Sequence, residues 1–331
     1  MDGVPDHDAL AEYHAARDAV GIADRTDLGV VEVTGRDRAK FLHALLSNDI
    51  AALAVGQGCA ATLLDVHGKV QVTLVVLALD DRVLLLTPPG MGESTVAALD
   101  HYLFAEKAAL EDVTAQRAVF MLVGPAAVET AKRLTGAAAP EAPWSHVAAS
   151  LDGLEIRVVR GGSETGQPEV WLLVPAGARE SAWKAALAAG ARPLGAAALE
   201  SLRIEAGTPR FGEDVDATVL LPEIPSAHLI SHTKGCYPGQ EVVVRIRDRG
   251  HVNRHLRGLL LESDVVPPRG AEVVAGGAVV GQVTSATLSL GLRRPIALAF
   301  IKRQQEPGAR VDVRAGADTL PATVSDLPFA R

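Results

Sequence analysis

Hydrophobic residues recur along the chain with two different spacings, which predict both helices and strands. Spacing of three or four residues predicts four helices, around Ala39, Val96, Trp183 and Leu199, and glycine or proline flanks each of them. Alternating or continuous apolar runs predict strands at residues 29–33, 60–64, 70–79, 82–87, 118–123, 154–160 and 169–174. Because these segments do not form repeated strand–helix–strand units, the pattern predicts an α+β fold with antiparallel sheets.

The pattern changes after residue 257, where no segment has helical spacing. Glycine or proline separates short strands predicted at residues 258–261, 272–274, 279–287, 296–301, 310–314 and 322–324. This arrangement predicts a small all-β domain, either a barrel or a sandwich. We therefore expect an α+β region over residues 1–252 and a β domain over residues 253–331. Residues 136–145 are rich in alanine and proline and predict a loop inside the first region.

Composition narrows the class of protein. The 331 residues carry a net charge of −8, which argues against a protein dedicated to coating nucleic acid. Two cysteines are too few for a disulfide framework and fit a reducing cytosol. The first ten residues contain three aspartates and no apolar core, so they do not resemble a secretory signal. The longest apolar run, residues 72–79, is shorter than the roughly 20 residues that span a bilayer. We expect a cytoplasmic protein with no membrane segment.

One of the two cysteines lies in an unusual segment, Lys-Gly-Cys-Tyr-Pro-Gly-Gln-Glu at residues 234–241. Cationic neighbours such as Lys234 favour the thiolate, which is the nucleophilic and redox-active form, so Cys236 is a candidate reactive residue. In the following residues, 242–249, arginine recurs at every second position, which predicts a strand with Arg245, Arg247 and Arg249 on one face. Such a face binds phosphate or RNA in some proteins and is simply a solvated strand edge in others.

This octapeptide resembles the signature of the YgfZ family, folate-binding proteins of iron–sulfur cluster assembly or repair and of tRNA modification. That family is related to the glycine cleavage T-protein, a tetrahydrofolate-dependent aminomethyltransferase. Residues 31–42, 199–214, 281–285 and 327–329 also resemble segments of this superfamily. The resemblance implies a tetrahydrofolate channel through an interleaved α+β core that a C-terminal β-barrel closes on one side. Cys236 would then lie at the mouth of the channel.

The resemblance also implies which residues bind folate. Glu205 lies in the stretch that faces the pterin in this superfamily, and a carboxylate matches the two adjacent donors of a pterin, its 2-amino group and N3–H. The alternative is a glutamate on a helix surface. Nearby Arg203 either contributes to the site or pairs with an acid. The predicted folate-binding set is Arg203, Glu205, Lys234, Tyr237, Gln240, Arg245 and Arg247. Of these, Arg245 and Arg247 belong to a local basic patch that suits a folate polyglutamate tail, a phosphate or RNA.

Two departures from the T-protein pattern bear on activity. Where the T-protein has an acidic residue near folate N5, this chain has Val72 and Thr73, so no carboxylate is present to act as acid or base. Its Tyr-Thr-Gly-Glu hairpin is replaced by Glu-Thr-Gly-Gln at residues 164–167. The favoured function is therefore that of a YgfZ-type protein, with iron–sulfur client or assembly proteins as partners. The alternatives are an aminomethyltransferase that uses a lipoylated carrier and an RNA-associated adaptor.

Other candidate motifs favour structural roles. His228, His232 and Cys236 are spaced four residues apart, but Gly235 would break a helix carrying all three, so we predict no metal site. Cys59 has small neighbours at a strand start and is expected in the core. Residues 161–166 are rich in glycine but lie between two predicted strands, so they predict a hairpin turn rather than a phosphate-binding loop.

Overall fold

Two β-sheets are interleaved along the chain, and a closed barrel follows them. The computed structural model describes residues 7–330, so part of the stretch considered for a secretory signal, residues 1–6, lies outside the described residues. The seven helices of the described part are α1 (His7–Asp18), α2 (Arg38–Leu45), α3 (Gly92–Asp100), α4 (Ala127–Thr135), α5 (Arg179–Ala188), α6 (Ala196–Glu205) and α7 (Gln240–Arg249). The predicted α+β class with antiparallel sheets and a C-terminal barrel is confirmed.

The first sheet has six strands in the spatial order β11-β1-β7-β10-β9-β8. Their bounds are β1 (Gly21–Asp24), β7 (Arg117–Val123), β8 (His146–Leu151), β9 (Leu154–Arg160), β10 (Glu169–Pro175) and β11 (Arg192–Pro193). Only the β1–β11 pair in this sheet is parallel. Between β1 and β7 the chain leaves this sheet, builds the second one and returns.

The second sheet has five strands in the order β3-β4-β5-β2-β6, all antiparallel. Their bounds are β2 (Leu28–Thr34), β3 (Gly58–Leu64), β4 (Val70–Ala78), β5 (Val83–Pro89) and β6 (Ala109–Asp112). The two sheets face each other across a shared apolar core that also includes residues of α1 and α6.

Strand β7 shows why the sheets pack in layers. Its successive side chains point to opposite faces, and both faces are apolar. Phe120 and Leu122 face the core covered by α4 and α5, whereas Val119 and Met121 face the second sheet. A strand buried on both sides reads as a continuous apolar run, as the sequence of residues 118–123 does. The outer face of the second sheet is covered by α2 and α3.

The C-terminal strands close into a barrel in the order β12-β15-β14-β13-β16-β17, which removes free sheet edges. Their bounds are β12 (Arg254–Leu261), β13 (Glu272–Ala275), β14 (Ala278–Ser289), β15 (Arg294–Lys302), β16 (Arg310–Ala315) and β17 (Asp318–Ser325). Every predicted β segment of this region is found as a strand. The barrel contacts the α+β region through β14 and α6. The proposed domain boundary at residues 252 and 253 stays a prediction.

The predicted strand over residues 242–249 is wrong, because this segment is helix α7. Gly239, with φ of 76°, directly precedes the helix, and Val243 packs into the core beneath it. Helical geometry turns the chain by about 100° per residue, so Arg245 and Arg247 point in nearly opposite directions. Arg249 lies one turn after Arg245. The three arginines therefore do not share one face.

No helix within residues 7–330 combines the length and the apolar character needed to cross a membrane.

Candidate functional site

A cavity of about 360 Å³ lies between the two sheets and the loop that follows α6. Strands β4 and β5 supply one wall and the turn between β9 and β10 supplies another. The loop after α6, residues 206–211, completes it. The side chains that carry the argument below are Arg25, Thr73, Trp144, Glu164 and Trp171, all of which line the cavity. The predicted hairpin turn at residues 161–166 is confirmed, since β9 and β10 pair antiparallel on either side of it.

Arg25 and Glu164 form an ion pair in the wall of the cavity, which Arg210 also lines. Nη1 of Arg25 donates to Oε2 of Glu164 at 3.0 Å, and the guanidinium lies 5.8 Å from the ring centre of Trp171. Glu164 is the only carboxylate among the described residues that line this cavity. Burial opposes its ionisation, but the Arg25 charge and hydrogen bond lower the pKa of Glu164 below its usual value. Its second oxygen, Oε1, has no donor within the described part of the chain.

A second carboxylate, behind the cavity wall, fixes the turn that carries Glu164. Glu169 is fully buried and accepts hydrogen bonds from the backbone N–H and the hydroxyl of Thr165, both at 2.7 Å. Its other oxygen accepts the indole N–H of Trp171 at 3.3 Å. Burial and the nearby Glu164 charge raise the pKa of Glu169. These bonds orient the turn and the Trp171 ring together.

Aromatic groups complete the cavity. The rings of Trp144 and Trp171 meet edge to face, 5.5 Å apart. Trp144 has a positive φ of 63°, which is strained for a residue other than glycine. A Cβ on Gly162 would lie 2.2 Å from Cζ2 of Trp144, so the close approach of this ring requires glycine. The hydroxyl of Thr87, which has no hydrogen-bond partner among residues 7–330, lies on the other face of the second sheet, beside Gly29 and α3, and so points away from the cavity.

The predicted folate ligand Glu205 lies outside this cavity. Its side chain is 1% exposed and accepts hydrogen bonds from Tyr13 at 2.7 Å, Ser201 at 2.9 Å, Ser289 at 2.6 Å and the backbone N–H of Gly291 at 3.0 Å. These donors come from α1, α6 and the barrel. The observed contacts therefore join three parts of the fold, and a pterin-binding role for Glu205 stays a prediction.

Arg203 is buried in a similar junction. Its guanidinium donates to Asp214 at 2.7 Å, to the Thr208 carbonyl at 2.8 Å, to the Ser285 hydroxyl at 3.0 Å and to Glu200. The neighbouring carboxylates raise its pKa despite burial. In this position Arg203 pairs with acids and links α6 to the barrel.

Lys234, the first residue of the octapeptide, lies at the C-terminal end of α2. Nζ of Lys234 donates to the carbonyls of His43 and Leu46, and it lies 5.0 Å from the ring centre of Tyr237. Desolvation lowers the pKa of Lys234 to about 8. Tyr237 is buried, whereas Cys236 is exposed.

The other predicted ligands lie on α7. Gln240 is the first residue of this helix. Arg245 pairs with Glu241, and Arg247 pairs with Asp248 at 2.6 Å. None of the eight predicted site residues, all within the described range, lines the cavity. Their catalytic and binding roles stay predictions.

Sequence reasoning missed most of the cavity. In the sequence, Glu164 is distinguished only as a departure from the family hairpin, although a carboxylate in a glycine-rich turn is a recognisable signal. Trp171 sits in a predicted strand, where an aromatic residue usually indicates packing. Arg25 lies between two short strands and carries no local signal. Cys59 is partly buried at the edge of the core, and burial raises the pKa of its thiol to about 12.

Two family descriptions match this chain. The GCVT N-terminal domain matches residues 6–232, and the glycine cleavage T-protein C-terminal barrel domain matches residues 254–330. The chain belongs to the glycine cleavage T-protein family. Membership agrees with the predicted superfamily and with the prediction of a reduced folate cofactor. It does not distinguish the YgfZ branch, which stays a prediction.

Similar proteins cover nearly the whole chain. An aminomethyltransferase of Frankia alni is 33% identical over 97% of this chain and 88% of its own length. An aminomethyltransferase of Exiguobacterium sibiricum is 30% identical over 97% and 89%, respectively. A putative chloroplastic transferase of Arabidopsis thaliana is 30% identical over 94% and 71%. The crystal structure of the glycine cleavage system aminomethyltransferase T from Bartonella henselae superposes with a TM-score of 0.87 at 22% identity, covering 97% of this chain and 89% of that one, which supports the same fold.

Proposed function

We propose that this chain is a reduced-folate-dependent transferase of the aminomethyltransferase type, with tetrahydrofolate bound in the cavity between the sheets. The observation that carries the proposal is the ionised Glu164, held by Arg25 with one oxygen free, in a cavity of a T-protein fold. A volume of about 360 Å³ falls within the roughly 300–1,000 Å³ of small-molecule sites.

The polar and aromatic groups of the cavity fit a pterin. Glu164 would accept two adjacent N–H groups of the ring, because its carboxylate is kept ionised and faces the cavity. Trp144 and Trp171 supply flat apolar contact surface. Bound tetrahydrofolate would supply the nitrogen that accepts a one-carbon unit. The residues of this chain bind and orient it and shield it from water.

Proton transfer is the weak part of this site. Thr73 lines the cavity where the family resemblance places an acid. Glu164 is held ionised by Arg25, so it is suited to accept hydrogen bonds and not to donate a proton. General acid–base catalysis contributes a factor of about 10²–10⁴. We therefore expect slow aminomethyl transfer by the native chain.

The test is a turnover assay with tetrahydrofolate and a lipoylated carrier protein. Thr73→Asp is expected to increase the rate, whereas the matched variant Thr73→Asn, which adds similar volume without a charge, is not. Folate-dependent turnover that rises only with aspartate supports the proposal. If neither the native chain nor Thr73→Asp transfers the aminomethyl group while both bind folate, the transferase assignment is wrong.

A second candidate is a YgfZ-type role in iron–sulfur cluster assembly or repair in the cytoplasm, with a cluster client or assembly protein as partner. The exposed Cys236 in its glycine-flanked segment favours it. In cells lacking the native gene, Cys236→Ser should fail to restore cluster-dependent enzyme activities, and Cys59→Ser should restore them. Full restoration by Cys236→Ser would rule out a role for this thiol. Recruitment of RNA by Arg245 and Arg247 is less favoured, because both are ion-paired to acids on the same helix.

A further inference from the structure

A second cavity, of about 800 Å³, lies at another edge of the two sheets. It shares no lining residue with the first cavity. The β4–β5 turn, the start of β7 and the paired strands β8 and β9 bound it. The charged or titratable side chains that line it are Asp80, Asp81, Arg82, Arg117, His146, Glu155 and Arg157.

Strand register shows that two of these arginines point into the layer between the sheets. Arg157 pairs opposite Leu173, and Arg117 pairs opposite Pro175, two residues further along β10. Directly opposed residues and residues two apart share one face of a sheet. Leu173 packs in the apolar core between the sheets, together with Val119. The apolar rows of this core therefore end in cations.

Within the described residues, Arg117 has no counter-charge, and the one that pairs with Arg157 is exposed. Arg117 makes no hydrogen bond or ion pair within residues 7–330, and its Nε is buried. Arg157 donates to Nδ1 of His146 at 3.2 Å, and its nearest ion-pair partner, Glu155 at 3.7 Å, is 79% exposed. Burial lowers the pKa of Arg157; the Glu155 charge opposes this shift, and the Arg117 charge adds to it. An unpaired guanidinium in a half-buried position is costly unless a ligand pairs with it.

The remaining charged groups do not neutralise this pair. Arg82 forms ion pairs with Glu32, at 2.8 Å, and with Asp81. The Asp81 side chain is 63% exposed. Asp80 is also exposed. Burial and the Arg157 charge lower the pKa of His146 to about 4, so its ring is neutral and accepts the Arg157 hydrogen bond.

We propose that this second cavity binds a small oxyanion, a carboxylate or a phosphate, between Arg117 and Arg157. Planar guanidinium groups present paired donors that match the oxygens of both anions. Anion binding would also remove the repulsion between the two arginines. The site is separate from the folate cavity, so the proposal does not depend on the function proposed above.

Calorimetric titration of the full chain with inorganic phosphate and, separately, with glutarate tests the proposal at constant ionic strength set by sodium chloride. Arg117→Gln and Arg157→Gln are expected to weaken the affinity about tenfold or more, because each removes charge-assisted hydrogen bonds. Arg310→Gln, on an 81% exposed arginine of the barrel, is the matched control and should bind as the native chain does.

The melting temperature separates a binding role from a structural one. Without anion, Arg117→Gln should melt no lower than the native chain, because Arg117 makes no bond that would be lost. With phosphate or glutarate, the native chain should melt higher and Arg117→Gln should not. A response to one anion alone identifies the ligand class. The proposal is overturned if neither anion binds more strongly than chloride, or if both arginine variants bind as tightly as the native chain.

Discussion

Replacing Arg203 by methionine is expected to lower the free energy of unfolding by about 3–5 kcal/mol, the usual cost of removing one partner of a buried ion pair. Arg203 and Asp214 are 2.7 Å apart, with side chains 1% and 0% exposed. Without the guanidinium, Asp214 keeps only the hydroxyl of Thr284 at 2.5 Å and the backbone N–H of Arg210 at 2.9 Å. Two donors do not offset the burial of a full negative charge.

The assay is guanidinium unfolding at neutral pH, followed by tryptophan fluorescence. The matched control is Arg245→Met, which removes an exposed pair with Glu241 and should cost only about 0.2–1 kcal/mol. The double variant Arg203→Met/Asp214→Asn should lose less free energy of unfolding than the two single variants lose together, because asparagine leaves no unpaired charge. A loss for Arg203→Met no larger than that of Arg245→Met would refute the structural role given to this residue.

Three other predictions concern pH, thiol reactivity and the cavity wall. Burial lowers the pKa of Lys234 from 10.5 to about 8 in the folded chain. Between these pH values the unfolded chain binds more protons at Lys234 than the folded chain does, so the free energy of unfolding should rise from pH 8 towards 10.5. When stability is measured against pH, Lys234→Met should lack this rise. A pH profile identical to that of the native chain would contradict the prediction. Iodoacetamide should alkylate the exposed Cys236 well before Cys59, because burial raises the pKa of the Cys59 thiol to about 12. Equal alkylation rates of the two thiols would contradict this prediction. Gly162→Ala should displace Trp144 and weaken folate binding, measured by calorimetry, and unchanged affinity would count against this wall.

Local patterns were sufficient for most of the fold. The four helices read from apolar spacing and the strands of both regions are present, because their side chains pack against a core with the spacing that the sequence shows. The strand predicted at residues 242–249 is wrong for a physical reason. Arginine at every second position from residue 245 suits a strand, but Arg245 pairs with Glu241 one helical turn away, and Val243 is buried as part of a helix.

The candidate site was harder to predict, since long-range contacts assemble it. Arg25 and Glu164 are 139 residues apart and meet only because β1 and β10 flank β7 in the same sheet. The family resemblance directed attention to Glu205 and Arg203, whose observed partners belong to the junction with the barrel. Sequence alone does not show whether a charged residue in a family motif faces the ligand or the neighbouring domain.

The central claim is that a reduced folate binds beside Glu164, and calorimetric titration with 5-formyltetrahydrofolate tests it most directly. Glu164→Gln and Glu205→Gln make the same chemical change at the cavity and at the barrel junction. Loss of a charge-assisted acceptor is worth about 1.5–3 kcal/mol, or one to two decades in affinity. The account predicts that loss for Glu164→Gln and native affinity for a folded Glu205→Gln. The account would be contradicted if Glu164→Gln bound with native affinity and Glu205→Gln bound weakly. Glu205 would then be the pterin ligand.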